Sequence, residues 1–270
     1  SLWNGALARR HGGVVLFLFL FLAVATAMRV VLLVKAAYAV TFNAALVAAF
    51  AWGVLFDLGA AVICAAPLAL LLALVPARLL AGRAGIWTAT AGCAALCYAL
   101  FFNSVAEWLF WDEFSARFNF IAVDYLVYTK EVLGNIQESY PMPWIIGVTL
   151  AAALAAGFAL ARSAPVRRWL TAPAEPAGRR FRAVAGWTVV ASLTGVALDS
   201  EHLPNFADNY HRELAKNGVW SLFAAFRNNE LDYRQFYAVI PTDEAFAKLR
   251  SELAADRSLP LPGTPAHDTL

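Results

Sequence analysis

Six ionisable side chains stand where apolar sequence makes a charge costly or crowds it against others: Arg29, Asp57, Glu107, Asp112, Glu113 and Arg117. Arg29 and Asp57 lie deepest in apolar runs. Each costs about 2.5–3.5 kcal/mol at the centre of a membrane helix, so each needs a partner or a route to the interface. Three readings are open: both sit near helix ends and snorkel, they pair with each other, or Arg29 holds a lipid phosphate. Glu107, Asp112 and Glu113 flank the end of the third apolar run as an acidic rim. Paired carboxylates can move protons or hold a cation, and solvated charge at a helix end is the plainer account. With Arg117 these residues form the candidate lipid- or substrate-facing set. A second set, Arg227, Asn228, Asn229, Asp232 and Tyr233, puts hydrogen-bonding groups beside an apolar helix face. It reads either as an ordinary capped helix end or as a docking surface for a following domain.

Other chemistries find little purchase. Cys93 and Cys97 share a helix face but have no companion ligands nearby, and with Cys64 they fall in apolar runs where a thiol behaves as a small hydrophobe. His202 and His211 lack the spacing of a metal-binding helix pair. No nucleophile elbow, phosphate-binding glycine loop or cysteine-rich metal motif occurs. The chain therefore offers no catalytic residue and no metal site of its own.

The elements that must position the charged residues are membrane helices. Apolar residues make up 61% of the 270 and charged residues 15%, against about 45–50% and roughly a quarter in soluble domains. The expected fold is all-α and polytopic, with about five stretches able to span a bilayer. They are Gly13 to Val34, one within Ala44 to Val75, about Gly85 to Leu109, Trp144 to Leu160, and Ala183 to Leu198. The second is longer than a membrane is thick, so it is one long tilted helix or a helix broken near Gly53 and Gly59; the single helix is preferred. The first run lacks a small-residue cleavage site and reads as a retained helix.

Cytoplasmic loops carry the Lys/Arg excess. Arg9, Arg10, Arg78, Arg83, Arg162, Arg167, Arg168, Arg179, Arg180 and Arg182 fall on one side, and only Lys35, Arg117 and Lys130 on the other. The N-terminus is therefore expected inside, and everything after Leu198 outside. Net charge is only +2, with the cations scattered among loops, so no basic stripe supports a nucleic-acid partner. Residues 1–199 read as the membrane domain, with an external loop over 110–143. There Val132, Leu133, Ile136 and Tyr140 recur at helical spacing, as expected of amphipathic helices at the interface. Residues 200–270 read as an extracytoplasmic helical linker. NFADNYHRELAKNG looks like a helix closed by a left-handed cap at Asn217-Gly218, followed by a helix with Val219, Leu222, Phe223 and Phe226 on one face. PTDEAFAKLRSELAADRS forms a further short helix before LPLPGTPAHDTL, which has linker composition.

Three stretches carry a family resemblance: FDLGAA at Phe56 to Ala61, ARFNFIAVDYLVYTKEVLGNIQESYP from Ala116, and NYHRELAKNGVWSLFAAFRNNELDYRQFY from Asn209. In combination with the five-helix plan they resemble the membrane portion of the lipoteichoic acid synthase family, the sulfatase-like phosphoglycerol transferases. That resemblance implies a bacterial cytoplasmic (inner) membrane location and phosphatidylglycerol-like lipid as partner. It further implies a downstream extracytoplasmic catalytic domain with a threonine nucleophile and Mn or Mg, which this chain does not include. No catalytic or metal-binding residue of the family has a counterpart here. The expected function is to anchor that domain and present anionic donor lipid. The alternative is a non-enzymatic lipid-binding or regulatory membrane protein of the same superfamily.

Overall fold

Long runs of Leu, Val, Ala and Phe leave the backbone no better hydrogen-bonding partner in a bilayer than itself, which favours helices. The computed structural model describes residues 9, 11–75, 77–80, 82–127, 134, 136–173, 175–199, 202–227 and 242–255, and all regular structure among them is helical. Helix α1 spans Gly12–Lys35 and α2 spans Ala44–Leu74; a 3-10 turn, Ala77–Leu80, leads into α3, Gly82–Phe114. Then follow α4 (Phe120–Val127), α5 (Met142–Arg162), α6 (Ala164–Leu170), α7 (Ala177–Ala197), α8 (Asn209–Ala215) and α9 (Gly218–Arg227). These belong to one compact unit ending at Arg227. A second unit, 228–270, contains α10, Thr242–Ala255.

Four helices, α1, α2, α3 and α5, are long and apolar enough to cross a membrane, the architecture of a multi-pass helical membrane protein. The fifth expected span is helical too, as α7. It opens on Arg179, Arg180 and Arg182 and carries Thr188, Ser192 and Thr194, so it is the least apolar of the long helices and falls outside those four. Outward-facing apolar side chains are plentiful: Trp144, Val148 and Leu154 on α5 are exposed, as are Val189, Leu193 and Val196 on α7. An apolar surface this extensive is the signature of lipid contact rather than water.

Helix α2 is continuous: neither Gly53 nor Gly59 breaks it, and Pro67 is accommodated inside it. At 31 residues it is about 46 Å long, whereas the 21 residues of α5 make about 31 Å, close to one hydrocarbon thickness. Helix α3 also runs past its expected end near Leu109, to Phe114. Within the loop expected to carry interfacial helices, α4 and a helical turn at 136–139 are present, whereas Val132 and Leu133 lie outside the described residues.

Helix α3 packs along α5, and α2 lies between α1 and α7. Phe17 and Phe21 of α1 meet Phe56, Ala60, Ala65 and Leu72 of α2 in the largest apolar cluster, which Trp220 of α9 closes at one end. Lipid is as apolar as these side chains, so association rests on close packing and hydrogen bonds rather than on exclusion of water. The α3–α5 crossing shows this at Gly157, where a Cβ would collide with the backbone of Ala94. Gly157→Ala is expected to lower the thermal midpoint in detergent, at a cost of about 1–3 kcal/mol for an overpacked contact. Gly147→Ala on the same helix, where a Cβ meets nothing within 4 Å, is expected to leave it unchanged or raised. Differential scanning fluorimetry of the two variants checks the contrast.

Candidate functional site

The end of the bundle at the α1–α2 connection holds a buried polar centre. Arg29 sits a turn and a half before the end of α1, and Asp57 lies well inside α2. Both are fully buried, with the guanidinium Nη2 2.6 Å from Asp57 Oδ1. Helix α2 makes room with Gly53, where a Cβ would overlap that guanidinium. Of the three readings of these residues, pairing is the one the structure adopts. An unpaired charge at such a site is heavily penalised, and a pair is tolerable only when its remaining groups are also bonded.

Further bonds come from the chain beyond α7, and they reach only part of the pair: among the described residues Arg29 Nε and Asp57 Oδ2 keep no hydrogen bond. Arg29 Nη1 donates to the carbonyl oxygens of Leu214 and of Lys216, the latter at 2.9 Å. These are C-terminal carbonyls of α8, which lack helical partners and carry partial negative charge. Asn217, the next residue, donates from Nδ2 to Asp57 Oδ1 at 2.8 Å, while its Oδ1 accepts the N–H of Trp220 at 3.0 Å and caps α9. One side chain thus starts a helix and adds a bond to the ion pair.

The expected left-handed cap at Asn217-Gly218 is not present. Among the described residues, glycine takes a positive φ only at Gly82, and Gly218 is the first residue of α9. Its lack of a side chain serves space instead, because a Cβ there would overlap the carboxylate of Glu107. Glu107 is no part of an exposed acidic rim: it is 3% exposed and paired with Arg117, itself 2% exposed. Ser115, in the left-handed region at φ 51°, turns the chain out of α3 so that Arg117 folds back to reach it. The Arg117 backbone N–H donates to Glu213 Oε2 at 2.8 Å, and its Nε donates to the Glu213 carbonyl at 3.3 Å. Glu213 also pairs with Lys216. Three cations (Arg29, Arg117, Lys216) and three carboxylates (Asp57, Glu107, Glu213) therefore balance around the α8–α9 elbow.

The remaining predicted residues lie apart from this centre. Asp112 is half-exposed and pairs with Lys35, whose ammonium sits 4.0 Å from the centre of the Trp108 ring. Glu113 is exposed. Arg227 is exposed at the end of α9 and donates to the Gly195 carbonyl at 3.4 Å. Asn228, Asn229, Asp232 and Tyr233 lie outside the described residues.

Sequence reasoning left Glu213, Lys216 and Asn217 out of the site. Glu213 and Lys216, three residues apart on a short helix, resemble any solvated surface pair. The available signal was hydrogen bonding: Arg29 with Asp57 and Arg117 with Glu107 cancel in charge, but each guanidinium has more donors than one carboxylate can accept. Among the described residues, no three His, Cys, Asp or Glu side chains converge as a divalent ion requires. Asp57, Glu107 and Glu213 are each already matched by a cation. These residues do not fit a divalent ion, and the resemblance places its Mn or Mg in the downstream domain rather than here.

Comparison with protein-family models, curated proteins and solved structures finds no match to this chain.

A second latch ties the same elbow to the α1–α2 connection. Asp208 accepts from Thr41 N at 2.8 Å and Thr41 Oγ1 at 2.7 Å, and caps α8 by accepting from Tyr210 N. Buried His211 lies with Nε2 2.7 Å from the Thr41 carbonyl. Burial pulls the Asp208 carboxyl upward, but the bonds from Thr41 and Tyr210, with His211 alongside, outweigh it and hold the group below the usual carboxylate range. A carboxyl depressed in the folded state stabilises it above the unfolded value of about 3.9, and that stabilisation is lost as pH falls through the folded value. The wild type is therefore expected to melt higher than Asp208→Asn at pH 7. The gap should close as pH drops below about 4, measured as paired thermal midpoints across pH.

Proposed function

We propose that this chain is the membrane portion of a phosphoglycerol-transferase-like enzyme of the lipoteichoic acid synthase family, and that it holds a downstream extracytoplasmic catalytic domain at the lipid headgroup level. The supporting observation is convergence. The three stretches that carry the resemblance are far apart in sequence, yet Asp57 from the first, Arg117 from the second, and Glu213 and Asn217 from the third meet in one buried centre. Residues so placed are what a membrane domain needs if the chain leaving it must be held firmly.

In this reading α7 is the fifth crossing. It runs against α2, with Arg180 donating to the Ala73 carbonyl near its start and Gly195 close to Ile63 near its end. Its 21 residues match α5 in length. The basic connections around Arg83, Arg162, Arg167, Arg168 and Arg179 lie at the opposite end from the polar centre, which agrees with a cytoplasmic N-terminus in a bacterial inner membrane and an outward elbow. A hydrocarbon layer matched to α5 and α7 then has its outer boundary near Arg29, Asp57 and Glu107. The first turns of α2 and the last of α3 stand clear of it.

The contribution to chemistry is positioning. A donor lipid of the phosphatidylglycerol kind is confined to the bilayer, and a catalytic domain fixed to the elbow meets it at one surface. An encounter in three dimensions becomes a near-intramolecular one, and orientation of this kind is among the larger sources of rate acceleration. The Mn or Mg and the nucleophile belong to the downstream domain. The expected result is that the longer gene product, reconstituted in phosphatidylglycerol liposomes, releases diacylglycerol. Absence of turnover with the divalent ion and a range of acceptors supplied would contradict the reading in favour of a lipid-binding or regulatory membrane protein.

A further inference from the structure

Helix α9 presents two different faces. Trp220 on its inner side packs edge-on against Phe56, ring centres 5.8 Å apart, and Asn217 caps its first turn. On its outer side Phe223 and Phe226 are 61% and 66% exposed. Between α9, α2 and α7 lies an apolar groove of about 300 Å³. Its floor is made of small or slender groups, Ala60, Ile63 and Cys64 from α2 and Gly195 from α7, while Phe223 and Ala224 form its wall. Arg227 stands at the rim, exposed, with one of a guanidinium's five N–H donors directed at the Gly195 carbonyl.

We propose that this groove seats one acyl chain of an outer-leaflet phospholipid, with its phosphate against Arg227 and α9 lying in the interface above it. Depth is the first argument. Ala60 to Cys64 begin one residue beyond Gly59, which faces Leu198 at the end of α7, so the groove opens just inside the boundary set by the shorter helices. Continuity is the second. Val196 and Leu193 of α7, 85% and 63% exposed, extend the same apolar surface that Phe223 and Phe226 complete. A ten-residue helix with aromatic residues outward and a terminal arginine is suited to the boundary between headgroups and chains. Charge is the third, since arginine matches phosphate oxygens in geometry as well as sign. Water is a poor occupant of a groove with so little polar lining, and a soluble peptide would have to displace the lipid that already bathes its open side.

The proposal rests on the five-crossing membrane reading but not on transferase activity, and its test reads binding alone. The full chain is reconstituted in nanodiscs with phosphatidylglycerol carrying a diazirine on its acyl chain, irradiated, and mapped by peptide mass spectrometry. Crosslinks are expected to concentrate on peptides containing Ile63 and Phe223 above the level found on lipid-facing α5. Ala224→Trp, which fills the groove, should remove the groove crosslinks and leave those on α5 as an internal check that the bundle is folded. Arg227→Gln should reduce groove labelling by phosphatidylglycerol about tenfold, the loss of one charge-assisted bond, and leave labelling by the matching diazirine diacylglycerol unchanged. Groove labelling no higher than on α5, or labelling that survives Ala224→Trp, overturns the acyl site. Equal loss of both probes in Arg227→Gln overturns the phosphate contact. A fault in the transferase reading would leave all these outcomes as they are.

Discussion

The buried pair between Arg29 and Asp57 is the constraint from which the polar end of the bundle follows. Removing one member of such a pair strands the other, at a cost of about 3–5 kcal/mol. The pair also cannot satisfy itself: a guanidinium has more donors than one carboxylate can use. The structure answers in part by feeding in the α8–α9 elbow, whose free carbonyls take the Arg29 Nη1 and whose Asn217 returns a bond to Asp57. The same elbow brings Glu213 to Arg117, which in turn neutralises Glu107. Each buried charge therefore depends on another brought from a different part of the chain.

That dependence gives the elbow a mechanical meaning. A segment following the long helices of a membrane domain can be a mere tether. Here it is bonded at α1, α2, the turn after α3 and the α1–α2 connection, the last through Asp208 and Thr41. The described chain up to Arg227 is therefore bonded into the bundle rather than hanging from it. For an enzyme acting on lipid headgroups this converts chain connectivity into orientation, at the expense of a polar cluster that apolar packing could have replaced.

How much of this was legible depended on the range of the signal. The apolar runs showed the long helices, because length and hydropathy are local properties and a bilayer tolerates little else. The least apolar run, which became α7, was also the one the structure supports least as a span, owing to its three opening arginines. The costly residues were visible for the same reason, and Arg29, Asp57, Glu107 and Arg117 all fell in one place. Their roles were not visible. Glu107 read as part of an acidic rim because its partner lies beyond a sharp turn at Ser115, which no local pattern announces. Asn217-Gly218 read as a helix stop because that dipeptide usually is one. In the structure Asn217 opens the next helix and Gly218 clears space for a carboxylate, a tertiary requirement that overrides local preference.

The buried ion pair holds the elbow in the bundle, and amide hydrogen exchange of the intact chain in nanodiscs tests that directly. Amides of residues 209–220 are predicted to be protected nearly as well as those of α2 in the wild type. In Arg29→Met they should lose that protection while α3 and α5 keep theirs. Fast exchange of the elbow in the wild type, or protection unchanged by Arg29→Met, would contradict the account.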